Sequence, residues 1–268
     1  MTGEHPPLTL DAIQAALRTA KGDGPIGGEI AYYPQAGSTN DIVRQRASEG
    51  AREGLLVITD EQTAGRGRRQ RRWDAPANSS LLMTALFRPT IHPAQAYRLV
   101  MVCGLGIAEG CAIAAGVPIT MKWPNDLHIN GKKVAGILPE SSLTGDQLDW
   151  ALVGMGVNVN QDMARDPYLS SIATSLRSTT GKMIDRAALL AQILKRINSW
   201  YKRIQSPQLA LEWRYICATL GRRIEVKVGE GVLRGQAQTL DDEGALILQD
   251  EQGKMHRLTI SEATLLSW

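Results

Sequence analysis

The chain has 268 residues, 43% hydrophobic and 21% charged, which excludes a disordered tail or a miniprotein and leaves room for a sizeable core with a small second domain. Its formal net charge is +3, yet five arginines (Arg66, Arg68, Arg69, Arg71 and Arg72) crowd into residues 65–72, so the remainder carries −2. That distribution argues against a generally basic, nucleic-acid-coating protein. Cys103, Cys111 and Cys217 make no CxxC pair. A disulfide framework and an all-cysteine zinc site are therefore disfavoured, and a reducing cytoplasm is the expected location.

Charge and paired prolines occupy the first residues where a signal peptide needs an unbroken apolar run. Thr9 is placed to cap a short amphipathic helix over 9–20, with Leu10, Ile13 and Leu17 on one face. A strand over 29–33 follows, then Ser38, Thr39 and Asn40, whose side chains suit helix capping, ahead of a polar helix over 41–49. Residues 55–59 read as an apolar strand entering the arginine loop, and strand character resumes over 79–87. The segment 99–119 has Glu109 as its one charge, but its four glycines and Pro118 predict a buried helix packed closely on a sheet rather than a membrane span.

Residues 121–129 read as one strand, and Asn130-Gly131 supplies the two positive-φ residues of a tight hairpin into 132–139. A further strand over 150–159 contains Gly154 and Gly156, where a missing side chain lets a ligand approach the backbone. Residues 162–171 read as polar loop. Helices are predicted over 185–204 and from Pro207 to near Gly221. The period then changes to alternation, marking 221–268 as a small β-domain that docks on a larger part, residues 1–220.

Two clusters carry chemistry. GRGRRQRRW at 65–73 is a flexible cationic loop whose forked guanidinium donors suit phosphate or carboxylate. A solvated basic loop and a nucleic-acid contact are its alternatives. KWPNDLHINGKKVAGIL at 122–138 sets Lys122, Asn125 and Asp126 in an otherwise apolar strand, where such groups require partners or a ligand. Strict alternation puts Lys133 on the face of Ala135 and opposite Val134, and leaves open which face meets a pocket. Each Gly-Lys pair lacks the following Ser or Thr of a P-loop, and His5, His92, His128 and His256 show no metal-ligand spacing.

In order, the blocks Gly37-Ser38-Thr39-Asn40, Glu61-Gln62-Thr63-Ala64, the arginine loop, Lys-Trp-Pro-Asn-Asp, Lys133-x-x-Gly136, Gly154-Met155-Gly156-Val157-Asn158 and Ala173-Thr174-Ser175-Leu176 resemble those of bacterial biotin protein ligases. The resemblance implies an α/β (α+β) fold: a mixed-sheet catalytic domain with packed helices, followed by a small SH3-like β-barrel. It implies ATP-dependent activation of biotin to biotinyl-5′-AMP, with Mg2+ accompanying ATP, and transfer to a lysine of a biotin carboxyl carrier protein. Ser38, Thr39, Asn40 and Gln62 would border the biotin head group, and Arg66, Gly67 and Arg68 would close over carboxylate and phosphate. Lys133 would lie beside the reacting groups, with Gly136 and Gly156 allowing close approach. Trp73, Asn125, Asp126 and Asn158 would lie on the nucleotide side; the metal ligands stay unassigned.

Gln70 stands where the family loop carries a glycine, which restricts the loop's positive-φ options. Only about 37 residues precede Ser38, too few for the helix-turn-helix domain of ligases that double as repressors, so a monofunctional enzyme is expected, without DNA or membrane contact, with a homodimer to be tested. The sister reading, a lipoate or octanoate ligase, is disfavoured because no Arg-Arg-x-x-Gly-Gly-Gly block occurs. A non-catalytic nucleic-acid-binding regulator and an inactive biotin-binding module are the remaining alternatives.

Overall fold

The structure is a computed structural model describing residues 7–20 and 22–268, with the side chains of Gln70 and Arg165 outside the description; His5 also lies outside it. Helix α1 (Leu10–Ala20) starts where Thr9 Oγ1 accepts the Ala12 N–H. Strands β1 (Glu29–Ala36) and β2 (Leu55–Gln62) are parallel and joined through helix α2 (Thr39–Ser48), while β3 (Ser80–Phe87) runs antiparallel to β2. After α3 (Arg98–Ala115) come β4 (Thr120–Lys122), β5 (Asp126–Ile129), β6 (Lys132–Thr144) and β7 (Gln147–Asn158). They complete a seven-stranded mixed sheet in the order β1-β2-β3-β7-β6-β5-β4.

The expected single strand over 121–129 is thus two. The Trp123-Pro124-Asn125 corner, with a cis Trp-Pro bond, folds β5 back on β4 so that Lys122 pairs with Asp126. Asn130 (φ 50°) and Gly131 (φ 78°) then turn β5 into β6 as the sequence predicts. Residues 162–171 are not plain loop either. Asp166 Oδ1 accepts from the N–H groups of Tyr168 and Leu169 and starts helix α4 (Pro167–Ile172).

The sheet separates two apolar layers by simple alternation. Leu56, Ile58, Met83, Ala85, Val153 and Met155 face the larger core with α1, α3, α6 (Arg186–Tyr201) and α7 (Pro207–Tyr215), whereas Leu55, Val57, Leu86 and Leu152 pack on Val43 and Ala47 of α2. Among the described residues the one helix apolar enough to cross a bilayer is the stretch containing α3, and it lies mostly buried in this core. Its glycines meet a helix more than the sheet: a Cβ on Gly110 would come within 2.9 Å of the Ile193 backbone of α6, while Gly104 faces Trp213 and Ile137. Helix α5 (Leu176–Thr180) ends at left-handed Gly181 (φ 71°).

The last segment forms a five-stranded antiparallel sheet, order β11-β10-β9-β8-β12, from β8 (Arg223–Val228), β9 (Gly231–Leu240), β10 (Leu246–Asp250), β11 (Met255–Leu258) and β12 (Ala263–Ser267). Its Asp241–Gly244 turn docks on the larger part. Buried Arg98 donates to the carbonyls of Ile204 (2.6 Å), Ser206 (2.7 Å) and Asp242 (2.9 Å), and Trp123 Nε1 donates to Gly244 O (3.0 Å).

Candidate active site

One cavity of about 740 Å3 gathers the residues singled out in the sequence. Its floor follows from sheet register. Directly opposed residues share a face, so Leu82, Gly156, Gly136, Asp126 and Lys122 form a transverse row across β3, β7, β6, β5 and β4. The two glycines in that row make room for the Trp73 indole: a Cβ on Gly156 would lie 2.6 Å from the ring, and one on Gly136 2.9 Å from it. The Trp73 Nε1–H is buried without a partner among the described residues.

Strict alternation misplaces Lys133. Ala135 and Val134 both lie in the helix-side core, whereas Lys133 lines the cavity, because a bulge between the pairs Leu127–Ala135 and His128–Lys133 breaks the period of two. Lys133 Nζ sits 2.7 Å from Asp126 Oδ1 and 5.2 Å from the Trp73 ring centroid. The ammonium is thereby fixed over the glycine floor by one carboxylate and one aromatic face.

Ser38, Thr39 and Asn40 form a buried polar shelf at one end. The capping expected of them is not made: Ser38 occupies the N-cap position of α2 without a side-chain cap bond. Thr39 and Asn40 turn to tertiary partners instead. Gln62 Oε1 accepts from Thr39 N (2.8 Å) and Oγ1 (3.2 Å), while Thr84 Oγ1 lies 2.7 Å from both Thr39 Oγ1 and Asn40 Oδ1. Asn40 Nδ2 donates to Glu140 Oε1 (2.8 Å), and Glu140 also pairs with Arg44. The sequence reading missed Thr84, although a hydroxyl between Met83 and Ala85 in a fully buried strand signals a required partner.

The arginine loop is a small hairpin. Gly67 N donates to Arg71 O (2.6 Å) and Trp73 N to Gly65 O (3.0 Å), with Arg69 (φ 55°) taking the left-handed position. Gly65 is required there, since a Cβ would meet the Trp73 carbonyl at 2.5 Å. Arg66 is tied to Asp41 Oδ1 (2.5 Å), and hydrogen bonding from that guanidinium holds the Asp41 carboxyl below its ordinary range. Arg68 reaches across to the β-domain, donating to Ile260 O (2.6 Å) and Ala263 O (3.1 Å); burial lowers its affinity for a proton. Asn125 and Asn158 spend amide N–H groups on Ile137 O (2.5 Å) and Thr174 O (3.1 Å), so both brace the wall they line.

Further lining comes from residues the sequence reading left out: Tyr168, Leu169 and Ile172 of α4, and Thr264 and Leu265 of β12. No local pattern marks Thr264 or Leu265, since they reach the cavity only through domain docking. Among the described residues no three His, Cys, Asp or Glu side chains group as a metal site.

Residues 32–158 match the Biotin/lipoate A/B protein ligase family, and residues 219–265 match the Biotin protein ligase C terminal domain. A biotin--[acetyl-CoA-carboxylase] ligase of Mycobacterium tuberculosis is 34% identical, over 91% of each chain. This chain is a member of the biotin protein ligase family. The bifunctional ligase/repressor BirA of Bacillus subtilis is also 34% identical to the ligase, over 85% of this chain and 71% of that one. A structure of the biotin protein ligase from Aquifex aeolicus in complex with biotin and ATP superposes with a TM-score of 0.75 at 28% identity, covering 90% of this ligase and 99% of that chain. The mixed-sheet α/β part with packed helices expected from the resemblance is the fold observed, and the small C-terminal β-domain, expected as an SH3-like barrel, is seen as a five-stranded antiparallel sheet.

Proposed function

We propose that this biotin protein ligase uses the cavity to join the biotin carboxylate to the α-phosphorus of ATP, expelling pyrophosphate. A lysine amine of a biotin carboxyl carrier protein then attacks the acyl carbon of biotinyl-5′-AMP, forming an amide and releasing AMP. The observation that carries the proposal is Lys133, held beside Asp126 above the Gly136–Gly156 floor and facing the arginine loop. Both steps concentrate negative charge, and cations fixed before the reaction stabilise that charge without reorganising.

The Ser38-Thr39-Asn40 shelf with Gln62 supplies hydroxyl and amide groups suited to a ureido ring. Arg66, Gly67 and Arg68 supply donors for the biotin carboxylate and the α-phosphate, and Asn125, Asp126, Asn158 and Trp73 border the nucleotide. Magnesium enters as part of the substrate MgATP, coordinated chiefly by phosphate oxygens, as its preference for hydrated octahedral sites favours. A loop hairpin anchored at both Asp41 and the β-domain limits water access to the mixed anhydride. We place the domain boundary near residue 220, supported by the second family match beginning at 219 and by the change to β-structure at Arg223. ATP supply and three buried free cysteines favour a cytoplasmic setting.

Pyrophosphate release from MgATP tests the proposal, with biotin, lipoate and octanoate as parallel substrates. Release with biotin and not with the others is expected. Release only with lipoate or octanoate would transfer the site to the sister reaction, and none with any of the three would remove the catalytic reading.

A further inference from the structure

At the end of the cavity formed by β4 and β12, the charge balance is unusual. Lys122 lies within electrostatic range of Lys133, Arg71 and Asp126, and the Asp126 carboxylate is bonded to Lys133. Lys122 has no ion pair among the described residues. Its ammonium instead lies 4.9 Å from the centroid of the Trp268 ring. The same ring takes the Arg222 guanidinium at 4.6 Å and packs edge-on against His128 at 5.3 Å. Trp268 does not line the cavity, whereas Lys122 and His128 do. Thr264, on the strand leading to Trp268, adds a buried hydroxyl that lines the cavity without a partner among the described residues.

An aromatic face restrains a cation differently from a carboxylate. The ring quadrupole fixes the position of the ammonium, but carries no net charge to cancel it. A lysine held in this way keeps its full field for an incoming anion, and with two further cations and one engaged carboxylate nearby, that anion must carry several charges. Resting on the ligase reading above, we propose that Trp268 is a positioning residue: its ring holds Lys122 at the cavity wall, so that the ammonium meets the polyphosphate of the nucleotide.

The test combines KM values for ATP and for biotin with the Kd of α,β-methylene ATP measured calorimetrically in saturating biotin, all on the full chain. Trp268→Ala raises the ATP KM and the analogue Kd by about fivefold, the loss set by a partly desolvated cation–π contact, and leaves the biotin KM unchanged. Trp268→Phe restores most of the affinity. In a Lys122→Met background, Trp268→Ala has no further effect on analogue binding. Unchanged analogue affinity in Trp268→Ala, an equal rise in both KM values, or the same fivefold loss without Lys122 would each overturn the assignment. Failure of the ligase reading is separate: the wild-type chain would bind the analogue yet release no pyrophosphate with biotin.

Discussion

Replacing Lys133 by Met removes a charge while retaining an unbranched stem against Trp73. Two magnitudes follow from its surroundings, and they differ widely. The ion pair with Asp126 is short at 2.7 Å, but its side chains keep 31% and 28% of their exposure, so solvent screening limits its contribution to stability to about 0.2–1 kcal/mol. For a chain of this size the melting temperature should fall by no more than about 2–4 °C. Loss of a preorganised cation from charge developing in the transition state costs far more, about a hundredfold to a thousandfold in kcat. Biotin-dependent pyrophosphate release and a thermal melt on the same preparation separate the two effects. A variant that keeps kcat/KM within about threefold of wild type would refute the role of Lys133, because so small a change lies below the contribution of a single fixed donor.

Arg68→Gly deletes two charged hydrogen bonds from the loop to the β-domain and should speed release of biotinyl-5′-AMP by about tenfold, measured with labelled biotin on a rapid filtration column; unchanged release would show that the loop is held by other contacts. Asn198→Ala should destabilise the fold by about 2–3 kcal/mol in urea titration, since the buried Asn198 amide receives the Ile26 N–H (2.9 Å) and donates to the Ile26 carbonyl (3.0 Å), leaving both orphaned when removed. Burial holds the His128 imidazole below its ordinary range, with Nδ1 2.9 Å from Gly131 O and Nε2 without a partner among the described residues. The unfolded chain therefore binds the extra proton first, so stability should fall as pH drops from about 6.5 towards the folded-state value, and His128→Gln should flatten that part of the melting profile.

The parts of this ligase legible in the sequence are those set by neighbours along the chain. Asn130-Gly131 and Pro207 at the start of α7 each act within one turn, and both stand where the sequence puts them. The fourteen candidate positions named from the family blocks all line one cavity. What escaped depends on register or on docking. Lys133 reaches the cavity because a bulge interrupts alternation, and a bulge is a property of two paired strands. Thr39 and Asn40 resemble capping residues until Thr84, more than forty positions away, offers a stronger claim on their side chains. Asp41 and Glu140 gain their meaning only from the arginines that come to meet them.

The buried Arg98 carries a mechanical implication. Its guanidinium has three carbonyl partners, two in the α6–α7 connection and one in the Asp241–Gly244 turn of the β-domain. Lifting that turn away would strand a dehydrated cation and break the Trp123–Gly244 bond in the same motion. The C-terminal sheet therefore behaves less as an appendage on a hinge than as a keystone: the large part depends on it for a dry interface, and a chain cut near residue 220 would lose more than the segment removed. Because Thr264 and Leu265 also close the cavity from that side, catalysis and cohesion between the two parts rest on one seam, and a substitution that loosens it should lower both together.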